Sequence, residues 1–259
     1  MDTLIYTRIE PSIYKVLVLH GGYGNLSRIK QYPPLKAFRA EDEPSPRLRK
    51  VCSYATHIMF RAQTVPIIVK ILELCPNVGN LAIWSPRGQT WRLIDTLSHR
   101  PISRLSMDLG LFCVSPSISS DAKPEHASPL TESIDLRIFD ALHYLTHLTI
   151  LTDGAFGVSK CHYLTRLPRL THVAIRTYEP RDVVQPILSA CPNLTMLIVF
   201  SDDLVSCGED LSWMTDRRLI ILDSPPDALT EWWNSAKGKK NFKDFWMLGE
   251  EEIFEATNE

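Results

Sequence analysis

The chain has 259 residues, 44% of them apolar, enough to bury a continuous core in one elongated domain or two small ones. A formal charge of −2 and a pI near 6.5 supply no net field that would hold nucleic acid or an anionic membrane. No basic segment leads into an apolar one after Met1, and no apolar run approaches about eighteen residues, so a cytoplasmic or nuclear protein is expected rather than a secreted or membrane-spanning one.

In chain order, the first expected strand lies in SIYKVLVLHG (12–21), and a glycine-rich turn, HGGYGN (20–25), follows it. From there a short pattern recurs, with apolar residues at the first, fourth and sixth positions. A weak copy is Ala55-Ile58-Phe60. Clear copies are Val78-Leu81-Ile83, Ile102-Leu105-Met107, Leu145-Leu148-Ile150, Leu170-Val173-Ile175 and Leu194-Leu197-Val199. Their first positions are spaced 24, 43, 25 and 24 residues apart, and the long gap contains CVSPSISSDAKPEHASPL (113–130), a Ser- and Pro-rich surface insertion that breaks the period.

Each copy ends in an alternating run, the mark of a short half-buried strand. The stretches before two of them, VPIIVKILELC and DVVQPILSAC, carry apolar residues at helical spacing, with Asp182 as a candidate N-cap of the second. Cys75-Pro76-Asn77 and Cys191-Pro192-Asn193 occupy the same point, where a proline stops the helix. A cysteine there suits a small buried side chain, and the absence of any C-x-x-C pair argues against a metal site. Helix, turn and strand make one rung, and stacked rungs make an α/β solenoid filling 1–259 as a single domain. Repeats span 12–215, a cap spans 216–250, and an acidic tail occupies 251–259. Residues 201–259 hold fourteen Asp/Glu against six Lys/Arg, which fits a solvated tail.

A rung of 24–25 residues with CPNL ahead of L-x-x-L-x-L-like strands resembles the cysteine-containing leucine-rich repeats of F-box substrate receptors. It looks closest to the divergent F-box/leucine-rich-repeat-like class of mushroom-forming fungi. SIYKVLVLHG looks like that class's first strand after the F-box. DRRLIILDSPPDALTEWWNSAKGKKNFKDFW looks like its C-terminal signature, carried here by Asp216, Arg217, Leu222, Trp232, Trp233, Asp244, Phe245 and Trp246. The resemblance implies a degenerate repeat solenoid that captures target proteins. These aromatic residues would cover its last open rung. The F-box itself would precede SIYKVLVLHG, where eleven residues stand, so coupling to a cullin-ligase adaptor is expected only with an F-box upstream.

Alternation places the residues flanking the two later apolar positions of each strand on an exposed sheet face. Trp84, Arg104, Asp108, His147, His172, Arg176 and Phe200 are the partner-binding candidates there, because aromatic and charged groups of these kinds anchor interfaces. His147 and His172 fall at matching places in adjacent rungs and can stack. Replacing Trp84 and Arg176 by Ala should then weaken capture and spare stability. The apolar members of the face would otherwise be covered by the 113–130 insertion or the N-terminal segment.

No catalytic, cofactor or metal residue is expected. An α/β-hydrolase using HGGYGN as an oxyanion loop is the enzymatic alternative, but no G-x-S-x-G follows, and DGAFGVSK (153–160) lacks a P-loop's spacing. A free-standing repeat scaffold or remnant without ligase coupling is the third reading.

Overall fold

A computed structural model describes residues 11–20, 43–107, 113–114, 133–150, 161–176, 180–200, 215–223, 227–239 and 241–258. HGGYGN beyond His20, DGAFGVSK, Asp108 and 115–132 lie outside the described residues.

The chain alternates strands with helical returns. The elements are β1 (Val16–His20), α1 (Pro46–Tyr54), β2 (His57–Arg61), α2 (Val65–Leu74), β3 (Asn80–Trp84), α3 (Arg92–Ser98), β4 (Arg104–Met107), β5 (Cys113–Val114), β6 (Ser133–Ile134), α4 (Arg137–Ala141) and β7 (His147–Ile150). A 3₁₀ turn (His162–Arg166) leads to β8 (His172–Arg176), α5 (Pro180–Ala190), β9 (Met196–Phe200), β10 (Leu219–Leu222), α6 (Ala228–Lys237) and α7 (Phe245–Asn258). Eight strands form one parallel sheet in the order β1-β2-β3-β4-β7-β8-β9-β10, so each rung pairs with the next and the order never reverses. This is an α/β repeat solenoid. The 113–130 insertion leaves the sheet through an antiparallel stem, β5 on β6.

The repeat pattern becomes rows of side chains. The second apolar positions align as Leu17, Ile58, Leu81, Leu105, Leu148, Val173, Leu197 and Leu219 across the sheet. With the third positions they pack against Val51, Ile68, Leu72, Leu97, Phe139, Leu164 and Ile187 from the helical side. The first positions, Ala55, Val78, Ile102, Leu145, Leu170 and Leu194, are all essentially inaccessible. Burying one such Leu or Ile contributes about 1.5–3 kcal/mol, so the ladder is the main source of stability.

Polar groups tie each rung to the one before it. The hydroxyls of Thr56, Ser103, Thr146, Thr171 and Thr195 donate to the carbonyls of Lys15, Gly79, Ser103, Thr146 and Thr171. The Cys-Pro-Asn repeats do the same from the other end of the turn. Asn77 Nδ2 donates to the Ser53 carbonyl at 2.9 Å and Asn193 Nδ2 to that of Pro168 at 3.4 Å, while Cys75 and Cys191 are buried.

Three local details follow from the structure. Asp182 stands in the first turn of α5 rather than capping it, because the helix already begins at Pro180, a residue suited to a first-turn position. The acidic stretch after 250 continues α7 to Asn258, with Glu251, Glu252 and Glu255 exposed along the helix. Asp216 pairs with Arg218 through two parallel bonds of 2.9 and 2.7 Å and leaves Arg217 exposed. Arg218 also donates to the Leu188 carbonyl, which fixes the entry to β10.

Candidate functional site

The second face of the sheet is covered by the chain's own C-terminus. Helix α7 lies over the β8–β10 end, where Trp246 and Phe245 pack with Ala174, Met196, Ile198, Phe200, Ile220 and Leu222. Helix α6 lies over the β1–β3 end, where Trp232 packs with Val18, Met59, Ala82 and Trp84. The aromatic signature therefore covers the last strand, β10, as expected of a cap, and also straps the sheet face. Phe200 is 1% exposed, with its ring edge-on to Phe245 of α7 at 5.2 Å.

The sequence builds the strap through its turn. Asp244 caps α7, its Oδ1 accepting from Met247 N–H at 3.0 Å, and its other oxygen accepts from the Ser235 hydroxyl of α6. Glu231 of α6 accepts from the Phe245 N–H at 3.1 Å. Burial pushes the Glu231 carboxyl up, and the Asp244 charge adds to the rise against that bond. α7 comes close to the sheet at Gly249, where a Cβ would stand 2.7 Å from Met196 Sδ.

Between the two aromatic clusters a cavity of about 40 Å³ remains over the middle strands. Register explains its position. One row across the covered face reads Val18, Met59, Ala82, Ser106, Thr149, Ala174, Ile198 and Ile220, apolar at both ends and hydroxyl-bearing on β4 and β7. The adjacent row reads His57, Asn80, Arg104, His147 and His172. The strap finds apolar partners at either end and polar ones in the middle.

Trp84, Arg104, His147 and Phe200 all line this cavity, with Asn80, Ser106, Thr149, Glu231, Trp232 and Trp246. Trp84 donates its Nε1–H to Ser106 Oγ at 2.9 Å and packs against the strap. That packing corrects the expectation that Trp84 can be removed without loss of stability. His172 stacks on His147 at 4.1 Å with an 8° angle, and Trp246 stands edge-on to both rings. Arg176 lies at the end of β8, opposite Phe200 in register and away from the cavity lining. Asp108 falls outside the described residues.

Three imidazoles share one arrangement. His57, His147 and His172 each have Nδ1 2.8 Å from the hydroxyl of the preceding threonine. Each threonine proton goes to the carbonyl of the rung before, so the oxygen accepts from Nδ1–H; this bookkeeping assigns the neutral tautomer with its lone pair on Nε2. Burial pulls the His147 pKa down to about 3, with His172 and Arg104 adding repulsion. Burial pulls His57 down to about 4, assisted by Lys15 and Arg104. His172 is lowered by burial against the pull of Glu250, 3.8 Å away.

Arg104 is the charge common to all three. Among the described residues no side chain or carbonyl accepts a bond from its guanidinium, and the buried Trp232 Nε1–H also lacks an acceptor. Sequence reasoning placed Arg104 and Trp84 on this face but missed the contribution of Trp232 and Trp246. The signal available was the change from Met and Ala to Ser106 and Thr149 in the middle of an apolar row. Trp233, counted in the signature, has its side chain outside the described residues.

Among the described residues no group of three His, Cys, Asp or Glu side chains could hold a metal ion, and no helix is long and apolar enough to cross a membrane. No family model matches this sequence, and no curated protein matches it.

Proposed function

We propose that the protein is a non-enzymatic protein-interaction domain whose recognition site is the strapped pocket over β3, β4 and β7. The observation that carries this reading is one preformed cavity whose lining holds the half-buried Arg104, with no acceptor for its guanidinium among the described residues, and the buried Trp232 Nε1–H, which also lacks one. A buried donor left unpaired, as at Trp232, costs free energy in the empty state and returns it when a partner supplies an acceptor. The rigid floor of paired strands fixes their positions before binding. The resemblance to F-box/leucine-rich-repeat-like receptors extends the proposal. This would be the target-recognising half of such a receptor, with coupling to a ligase left to an F-box upstream.

A photo-crosslinking residue at Asn80, on the pocket lining, tests the reading against the same residue at the exposed Leu136. In cells that make the protein, one discrete protein should be trapped from position 80 and not from 136. No adduct at 80 overturns the reading, as does covalent labelling of the chain by a serine- or cysteine-directed hydrolase probe, which would favour the enzyme alternative.

A further inference from the structure

The cavity lining holds donors and acceptors together. Space of about 40 Å³ accommodates about three water-sized atoms at roughly 10–15 Å³ each, too little for an aromatic ring. The buried Trp232 Nε1–H and the half-buried Arg104 guanidinium have no acceptor among the described residues. Glu231 and His147 supply the acceptors. Glu231 takes the Phe245 N–H on Oε1 and no bond on Oε2 among the described residues, and His147 keeps its Nε2 lone pair because Nδ1–H is given to Thr146. Each Asp244 oxygen already takes one bond, from Met247 N–H or from the Ser235 hydroxyl. The lining thus sets two carboxylates against one cation, Arg104.

That combination disfavours a charged guest of either sign. An ammonium group carries protons for Glu231 and His147 but no lone pair for Trp232, and it would stand beside Arg104. A carboxylate has lone pairs for Trp232 and Arg104 but no proton for Glu231 or His147. Its charge would also join those of Glu231 and Asp244, where burial, with the Asp244 charge adding to it, already pushes the Glu231 carboxyl up. A hydroxyl brings a single proton for two acceptors. A primary carboxamide has three heavy atoms, no net charge, two N–H protons and a carbonyl oxygen with two lone pairs.

We infer that the cavity receives the side-chain carboxamide of an asparagine or glutamine of the partner protein, its carbonyl oxygen accepting from Trp232 Nε1–H and Arg104 and its amino group donating to Glu231 and His147. This rests on the reading of the pocket as the recognition site. The rest of the partner stays outside the strap, since the space is filled by the amide head.

The test is titration of the full chain with the N-acetyl N-methylamides of asparagine, glutamine, glutamate and alanine, following the Trp232 indole N–H resonance by NMR. The Trp232→Phe variant assigns that signal. One or both of the side-chain amides should move it to saturation, the glutamate derivative should bind at least about tenfold more weakly, and the alanine derivative, which has backbone amides only, should leave it in place. Glu231→Gln keeps an acceptor for the Phe245 N–H and turns an amino group towards the guest. That variant, its folding checked by a melting curve, should weaken amide binding and reduce the preference over glutamate by about tenfold. A signal that neither side-chain amide moves would mean that the space holds water alone, and overturns the inference. Equal binding of the glutamate or alanine derivative, or indifference to Glu231→Gln, overturns it too. A partner trapped at position 80 together with indifference to both side-chain amides would sink this inference alone. Absence of both would sink the recognition reading as well.

Discussion

Each Thr-His pair performs two tasks: the hydroxyl ties one rung to the last, and the same oxygen holds a neutral imidazole under the strap. A ring whose folded pKa is depressed favours the folded state when neutral, so its stability is present above pH 6.5. That stability falls away as the pH drops towards the folded values of about 3 for His147 and about 4 for His57. The unfolded chain takes up those protons first. At about 1.4 kcal/mol per unit and per ring, the protein should lose several kcal/mol between pH 6.5 and 4, and His147→Phe should flatten the pH dependence of its melting temperature. The partner threonine can be tested separately. Thr171→Val removes bonds to the Thr146 carbonyl and to His172 Nδ1, and should cost about 1–2 kcal/mol by urea denaturation, while Thr171→Ser should recover most of it.

The strap is the element on which the site depends, and its turn is its weakest point. Glu231 is a half-buried carboxylate whose acceptor role a glutamine can fill. Because its folded pKa is raised, its charge opposes folding at neutral pH and is absent in both states below the unfolded value near 4.3. Glu231→Gln should therefore raise the melting temperature at pH 7 and leave it unchanged at pH 4. Trp84→Ala removes an indole packed on Val18, Met59, Ala82 and Trp232 and orphans a hydroxyl. A loss of about 2–4 kcal/mol is expected, whatever its effect on binding, whereas Trp84→Phe should lose less. Gly249 carries the opposite hazard, since any larger side chain pushes into Met196 and Ile198. Gly249→Leu should shift Trp246 fluorescence to the red as α7 lifts, with little change in far-ultraviolet circular dichroism.

At the scale of the molecule, the sheet is a one-dimensional stack in which inner strands have two neighbours and edge strands one. Leu148 sits at the centre, wholly buried, and Leu219 on the edge strand is only half-buried. Leu148→Ala should cost about 3–5 kcal/mol and Leu219→Ala clearly less, measured as the shift in denaturation midpoint. A similar loss at both positions would contradict the nearest-neighbour picture. Among the described residues, α6 and α7 cover the two ends of this sheet face. Its polar middle rows are reached through the gap between two aromatic clusters.

The repeat was legible in the sequence because strand alternation and a rung of 24–25 residues are local periodicities. The apolar triplets predicted the registered rows residue by residue, and the Cys-Pro-Asn stretches marked the turns. The small buried cysteines follow from the same local logic. The destination of the C-terminal helices was not legible. Trp232 and Trp246 lie far along the chain from Trp84 and His147, and nothing in local spacing says which face a terminal segment will cover. Apolar Met59 and Ile198 on the nominally open face required some cover, and packing brought α6 and α7 there. The Asp244 and Glu231 bonds at their joint aim the two helices at opposite ends of the sheet. The sequence alone thus determined the rungs and the face on which Arg104 stands, since both depend on neighbours a few residues away. Tertiary structure decided that the face would become a strapped pocket, because that required contacts between the last strand, the last two helices and the middle of the sheet.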